Sequence, residues 1–182
     1  MRHIKIIKSI SLIISLFLIT SCSNNSAMKP EDFKNKEPRL IIEEYLSGNV
    51  KAWGVLQNRS GKVTRQFSAD LNGTWDGKQL ILKEKFNWDD GEVQDREWTI
   101  NKIDEHNYEG TAEDVVGKAI GYSYGPAFKF EYVLLVPVKG REMKITFDDW
   151  IFKQDERVAI NRATMTKFGI KVAELTVMFV KD

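Results

Sequence analysis

Residues able to act as nucleophiles or as soft metal ligands are scarce in this sequence. The 182-residue chain holds one cysteine, Cys22, and two histidines, His3 and His106. His3 lies in an apolar leader. His106 falls in a predicted turn, where an exposed histidine is the ordinary reading. No G-x-S-x-G stretch offers a nucleophile elbow, so a Ser-His-Asp arrangement has little to build on. A transition-metal centre would need carboxylates and at most one histidine, a poor donor set. Gly117, Gly121 and Gly125 recur every four residues without a helix signal. They read as a bent segment rather than a phosphate loop. No cofactor or metal is expected. Asp89-Asp90 and Asp148-Asp149 are not ready-made acid/base dyads, because strand neighbours face opposite ways.

The chemistry that remains is charge among apolar residues, and its placement depends on the elements that carry it. From about residue 50 the hydrophobic period is two. Strands are expected near 50–58, 62–74, 79–88, 92–103, 107–116, 127–137, 142–152, 157–166 and 170–181. Ser60-Gly61, Asp76-Gly77, Asp90-Gly91 and Lys139-Gly140 punctuate them, and Asp-Gly between alternating runs is a strong hairpin signal. No gap has room for a crossover helix, so pairing should be antiparallel and sequential. The expected fold is all-β: an up-and-down antiparallel barrel of about nine strands, lipocalin- or calycin-like, with a short N-terminal helix near Pro38 to Leu46.

Turns fix register, and register decides which side chains share a face. A two-residue loop at Asp76-Gly77 sets Leu71 against Leu82, Phe67 against Phe86 and Arg65 against Trp88. A turn centred on Asp90 sets Leu82 against Trp98 and Glu84 against Arg96, with Lys83–Glu97 and Lys85–Asp95 on the solvated face. A three-residue loop at Asp104 to His106 brings Asp114 opposite Arg96. A turn at Lys139-Gly140 sets Tyr132 against Phe147 and Phe130 against Asp149. One at Gln154-Asp155 makes Asp149 and Arg162 diagonal neighbours.

The inward face is then apolar except for Arg65, Glu84, Arg96, Asp114, Asp149 and Arg162 and the hydroxyls of Tyr108 and Tyr132. Three arginines match three acids. The plain reading is a set of satisfied ion pairs that fix register, since buried charge must be paired. The sharper one is a ligand site of Arg65, Glu84, Arg96, Asp114, Tyr132, Asp149 and Arg162, with an arginine fork meeting an acidic head group. Catalysis by Glu84 with Asp114 is a third reading. Arg96 between them would keep both ionised, which disfavours a general acid.

The start of the chain supplies an address. Arg2, Lys5 and Lys8 precede an apolar run from Ser9 to Thr20, which matches a secretory signal peptide. The run is shorter than the roughly 20 residues a membrane span needs. Ile19-Thr20-Ser21-Cys22 resembles the bacterial lipobox, which implies cleavage before Cys22, acylation there and a membrane anchor. Ser23 in place of an aspartate leans toward the outer membrane, inner leaflet, facing the periplasm. The expected organisation is 1–21 signal peptide, 22–37 lipidated cysteine and polar tether, and 38–182 one barrel domain. A lipidated Cys22 leaves no free thiol in the mature chain. Without Arg2, Lys5 and Lys8, 27 basic residues become 24 against 26 acidic ones, a net charge of −2. This gives no case for nucleic acid.

The stretches "AWGVLQNRSGKVTRQFSADLNGTWDG" (52–77), "WTINKIDEHNYEGTAEDVVGKAIG" (98–121) and "FDDWIFKQDERVAINRATMTKFGI" (147–170) resemble the bacterial lipoprotein family 3833 of the domains of unknown function. The resemblance covers nearly all of the chain after about Leu40. Its motifs include Asp114, Asp149, Arg157, Asn161 and Arg162, and it departs from the family pattern at Pro126. It implies an envelope lipoprotein with a lipocalin-like barrel and no assigned activity. Relatives encoded near lipid-modifying enzymes lean toward a lipid ligand. Lipocalins carry Gly-x-Trp on the first strand. Here Gly73-Thr74-Trp75 ends the second, so the expectation is shared architecture rather than membership.

The functional expectation is a membrane-anchored module that binds or carries a small apolar or amphipathic ligand, a fatty acid or other lipid. Phe67, Phe86, Trp98, Phe130, Tyr132 and Phe147 would line its cavity. The alternatives are an enzyme on a lipid-like substrate and a structural lipoprotein acting through outward Trp53 and Trp150. The protein partner of such a surface is open.

Overall fold

The computed structural model describes residues 27–138 and 140–182. The leader, the lipobox and Cys22 lie outside the described residues. The strands are β1 (Gly48–Asn58), β2 (Val63–Trp75), β3 (Gln79–Trp88), β4 (Val93–Lys102), β5 (Asn107–Thr111), β6 (Ala119–Tyr124), β7 (Ala127–Val138), β8 (Arg141–Lys153), β9 (Val158–Lys167) and β10 (Ile170–Lys181). Each pairs antiparallel with its sequence neighbour. β1 also pairs β10 from Val50↔Lys181 to Asn58↔Ala173, which closes the sheet. Every strand has two neighbours, though β4 meets β5 only at Thr99–Lys102 and β7 meets β6 only at Ala127–Glu131, so residues 27–182 contain a closed barrel with its own core. The meander expected from the sequence is present, with ten strands rather than nine.

The added strand is β6. Three glycines hide it from a hydrophobic-period reading. Gly117 and Gly125 are turn residues with φ of +77° and +51°. Gly121 sits where Phe128 and the Cβ of Tyr108 occupy the space a side chain would need. The expected strand 107–116 stops at Thr111. Beyond it the chain crosses to β7, with Val116 N–H donating to the Val133 carbonyl and Leu135 N–H to that of Asp114.

Alternation builds the wall. In β2, Phe67, Ala69 and Leu71 are buried between exposed Gln66, Ser68, Asp70 and Asn72. Each large apolar side chain removed from water contributes roughly 1.5–3 kcal/mol. The β3–β4 turn puts Gly91 at a φ of +88°, which few other residues accept. Its register is the expected one, Leu82↔Trp98 and Glu84↔Arg96. The β7–β8 pair also agrees, with Tyr132↔Phe147 and Phe130↔Asp149.

Two hairpins depart from expectation. Across β2–β3 the register is shifted by two: Leu71 faces Glu84 and Phe67 faces Trp88. Asp76 Oδ1 accepts the N–H groups of Lys78 and Gln79 at 2.8 and 2.7 Å and so widens that turn. An even shift leaves the faces unchanged. Across β8–β9 the shift is three, with Asp149 opposite Ala163 and Trp150 opposite Arg162. Asp155 Oδ1 holds the N–H groups of Arg157 and Val158 in a longer turn. An odd shift reverses faces, so β9 turns Arg162 outward and Asn161 inward.

The N-terminal segment closes one end of the barrel. A one-turn helix, α1 (Ile42–Tyr45), sits where a short helix was expected. Leu40, Ile42, Tyr45 and Leu46 are all buried there. The Leu46 carbonyl occupies the place of a Cβ on Gly73. Lys181 Nζ donates to the carbonyls of Glu44, Tyr45 and Ser47 at 2.7–2.9 Å, a cation at the helix C-terminus. Buried Glu43 accepts from Tyr108 Oη at 2.9 Å and from Lys102 Nζ at 2.5 Å. The stretch read as a tether is not free throughout. A 3-10 turn at Pro30–Phe33 lays Phe33 on Trp150 and Phe152, ring centroids 6.0 and 5.5 Å away.

Candidate ligand-binding cavity

The two ends of the barrel are unlike. At the α1 end Ile42, Leu80, Ala119, Phe128 and Ala159 are at most 1 % exposed. At the other end Leu56, Arg65, Trp88, Glu92, Val136 and Met165 are part-exposed or exposed, and they ring a mouth. Between them lies a hollow of about 280 Å³. That is near the lower end of ligand-pocket sizes. A wider, open depression at the side of the barrel, lined by charges of both signs, also reaches Glu84, Arg96 and Asp114.

The wall is mostly aromatic. Phe67, Phe86, Trp98, Phe130, Tyr132 and Phe147, the six expected to line it, all do. They pack edge-on or stacked: Phe67 on Trp88 at 4.9 Å, Trp98 on Tyr132 at 5.3 Å and Tyr132 on Phe147 at 5.0 Å between centroids. Such pairs add about 0.5–1.5 kcal/mol each beyond their burial. Gly54 and Gly110 make room for the rings of Phe67 and Phe130.

Half-way down, charged groups gather. Arg96 donates from Nε and Nη2 to Asp114 Oδ2 at 3.1 and 2.7 Å. Asp149 accepts from Tyr132 Oη at 2.9 Å and from the Asn161 amide. Glu84 lies beside Arg96 on β3, and no ion pair to it occurs among the described residues. Burial pushes the Glu84 carboxyl from its ordinary 4.5 up to about 7. Asp149 and Asp114 add to the rise, and Arg96 and the Trp98 indole oppose it. Burial likewise lifts Asp149 from 3.8 to about 6, against the hydrogen bonds from Tyr132 and Asn161. Burial raises Tyr132 far above the usual phenol range, with Asp149 beside it. Burial works against the charge of Arg96, but Glu84 and Asp114 outweigh it and its pKa rises.

Five of the residues singled out in the sequence therefore meet inside: Glu84, Arg96, Asp114, Tyr132 and Asp149. Arg65 stands at the mouth, not in the cluster. It donates to Asp90 and Glu92 at 2.7 and 2.8 Å and lies over the Trp88 ring at 3.9 Å. Arg162 is corrected outright: it is exposed and donates to Glu174 at 3.0 Å on the outer face. The matching of three arginines to three acids fails with it, because one guanidinium faces three carboxyls. Asn161, 3 % exposed, takes the inward position. Only its place in the family motif marked it in the sequence. His106 stacks on Tyr124 at 4.1 Å and its Nδ1 meets the Ser123 carbonyl at 2.8 Å, away from the cavity. Trp150 is covered, whereas Trp53 is 45 % exposed beside Met178. Among the described residues no group of three or more His, Cys, Asp or Glu is placed to hold a metal ion.

The family described as "Protein of unknown function (DUF3833)" matches residues 16–181. The chain belongs to this family. No curated protein sequence matches it. Among solved structures, this DUF3833 barrel is similar to the S-type phycobiliprotein lyase CPES from Guillardia theta, with a TM-score of 0.57 and 11% identity, over 77% of this chain and 90% of that one. It is also similar to a protein of unknown function from the DUF3598 family of Nostoc punctiforme, with a TM-score of 0.60 and 15% identity. That match covers 81% of this chain and 51% of the other. At these identities the likeness is one of fold, a lipocalin-like barrel.

Proposed function

We propose that this protein is a lipid-anchored envelope lipoprotein whose barrel binds or carries a small apolar or amphipathic, lipid-like molecule. The observation that carries the reading is the one-ended hollow of about 280 Å³, walled by aromatics and open at a mouth. Small barrels either fill with side chains or hold one small ligand, and the room left here supports the second state. The apolar body of a ligand would lie among Phe67, Phe86, Trp98 and Phe147, with its polar end at the Glu84–Arg96 cluster. The basic leader and Ile19-Thr20-Ser21-Cys22 support export and acylation at Cys22. Ser23 supports the inner leaflet of the outer membrane, facing the periplasm.

Native mass spectrometry tests the carrier reading. Residues 27–182 would be exported through the host's own envelope and purified without detergent. A retained small mass, released on denaturation, is the expected result. A compact barrel with no adduct would sink the reading.

Glu84 favours a second reading, an enzyme on a lipid-like substrate. A carboxyl raised to about 7 beside an apolar hollow is suited to proton transfer near neutral pH. The retained mass separates the two: a carrier keeps one species, whereas an enzyme leaves substrate and product related by a fixed mass difference.

A further inference from the structure

The cavity wall offers more hydrogen-bond acceptors than donors. Three carboxyls, Glu84, Asp114 and Asp149, face it against the single guanidinium of Arg96 in the cluster. Arg96 commits two N–H groups to Asp114. Asp149 already holds Tyr132 and Asn161. Two acceptors stay open. Asp114 Oδ1 is buried with no partner among the described residues. Glu84 lines the hollow opposite Arg96 with no ion pair among the described residues, and the Trp98 indole beside it offers one N–H, which serves one of a carboxylate's roughly four lone-pair sites. The unpartnered buried donors, Arg65 Nε and Trp88 Nε1, stand at the mouth instead.

An acidic head group brought into this cluster would meet three carboxyls with one guanidinium already engaged. Like charges at that range disfavour it strongly. A donor brought to the same place would meet Glu84, while Asp114 Oδ1, buried beyond direct reach, would add its negative charge. We propose that the cavity selects a ligand whose buried end donates hydrogen bonds, an ammonium or amide N–H on an apolar body, with Glu84 as its principal acceptor. It rejects carboxylates and phosphates of the same length. This rests on the reading of the hollow as a ligand site and narrows the amphipathic class to donor-headed molecules.

Three probes of equal length test it: octylamine, 1-octanol and octanoate, each titrated into residues 27–182 at neutral pH and followed by tryptophan fluorescence, Trp88 and Trp98 being the two of the five tryptophans that line the hollow. Octylamine is expected to bind at least about tenfold more tightly than octanoate, the worth of one charge-assisted hydrogen bond. Glu84→Gln is expected to erase that preference while 1-octanol still binds, which also shows that the variant is folded. The wild-type protein gives an independent reading. Its preference for octylamine should grow from about pH 5.5 to about pH 8.5 as Glu84 ionises among Arg96, Asp114, Asp149 and Tyr132. Octanoate binding as tightly as octylamine, or a preference that survives Glu84→Gln, overturns the inference and leaves the carrier reading standing. Failure of all three probes to bind overturns the carrier reading itself.

Discussion

Asn161, not Arg162, meets Asp149 inside the barrel. The amide of Asn161 donates to Asp149 Oδ1 from the strand opposite, and its second contact is the Trp150 carbonyl at 3.3 Å. Arg162, one residue on, reaches the other way to Glu174. A neutral amide in place of a guanidinium leaves the interior with an excess of carboxyls, and that excess governs the electrostatics of the cavity.

Asn161→Leu is therefore expected to destabilise the protein by about 1–3 kcal/mol, because it strips a donor from a buried carboxyl. Arg162→Ala is expected to change stability by less than about 0.5 kcal/mol, as exposed pairs do. Urea unfolding of the two variants side by side checks this. A larger loss from Arg162→Ala would mean that the β8–β9 register is wrong.

The raised carboxyls make stability fall as pH rises. Glu84 and Asp149 have folded values of about 7 and about 6, above their ordinary 4.5 and 3.8. Between those limits the folded state binds more protons than the unfolded one, so unfolding free energy decreases from about pH 4 to about pH 7. For Glu84 this amounts to at most about 3 kcal/mol, since water in the cavity screens part of it. Glu84→Gln should remove about half of the slope and leave the part due to Asp149. Asp76, Asp90, Asp104, Asp155 and Glu174 are held below their ordinary values and act in the opposite sense, losing stability only in more acid solution. Denaturation of both proteins across that pH range separates the contributions.

Gly73→Ala should loosen the closed end. Its new methyl group would meet the Leu46 carbonyl, which is backbone and cannot rotate aside. The expected cost is about 1–3 kcal/mol. Hydrogen exchange should show lost protection at Tyr45 and Leu46, whose N–H groups bond back to Ile41 and Ile42. Unchanged protection there would show that the plug is not pinned by this contact.

Cys22→Ser is expected to abolish incorporation of labelled palmitate and to shift the protein from the membrane to the soluble fraction of its host. Palmitate incorporation that survives Cys22→Ser would remove the case for lipidation.

How much of this was legible beforehand follows from the range of the interactions involved. Alternating side chains along β2, β3, β7 and β8, and Asp-Gly turns between them, are local signals. They led to an antiparallel meander, to the six aromatics of the wall and to the Glu84–Arg96 and Tyr132–Phe147 pairs. The basic start, apolar run and Ile19-Thr20-Ser21-Cys22 are local in the same way. The tertiary structure decided what depends on partners far away in the chain. Strand β6 exists because Gly121 lets Phe128 and Tyr108 pack across it, a reason no hydrophobic period contains. The face of Asn161 hangs on how many residues the Asp155 carboxylate gathers into one turn, and one residue more or less reverses every side chain after it. Whether the barrel is hollow was settled by α1, which plugs one end while leaving the interior open to the other. Composition counts the aromatic rings, but only their packing geometry fixes the space left between them.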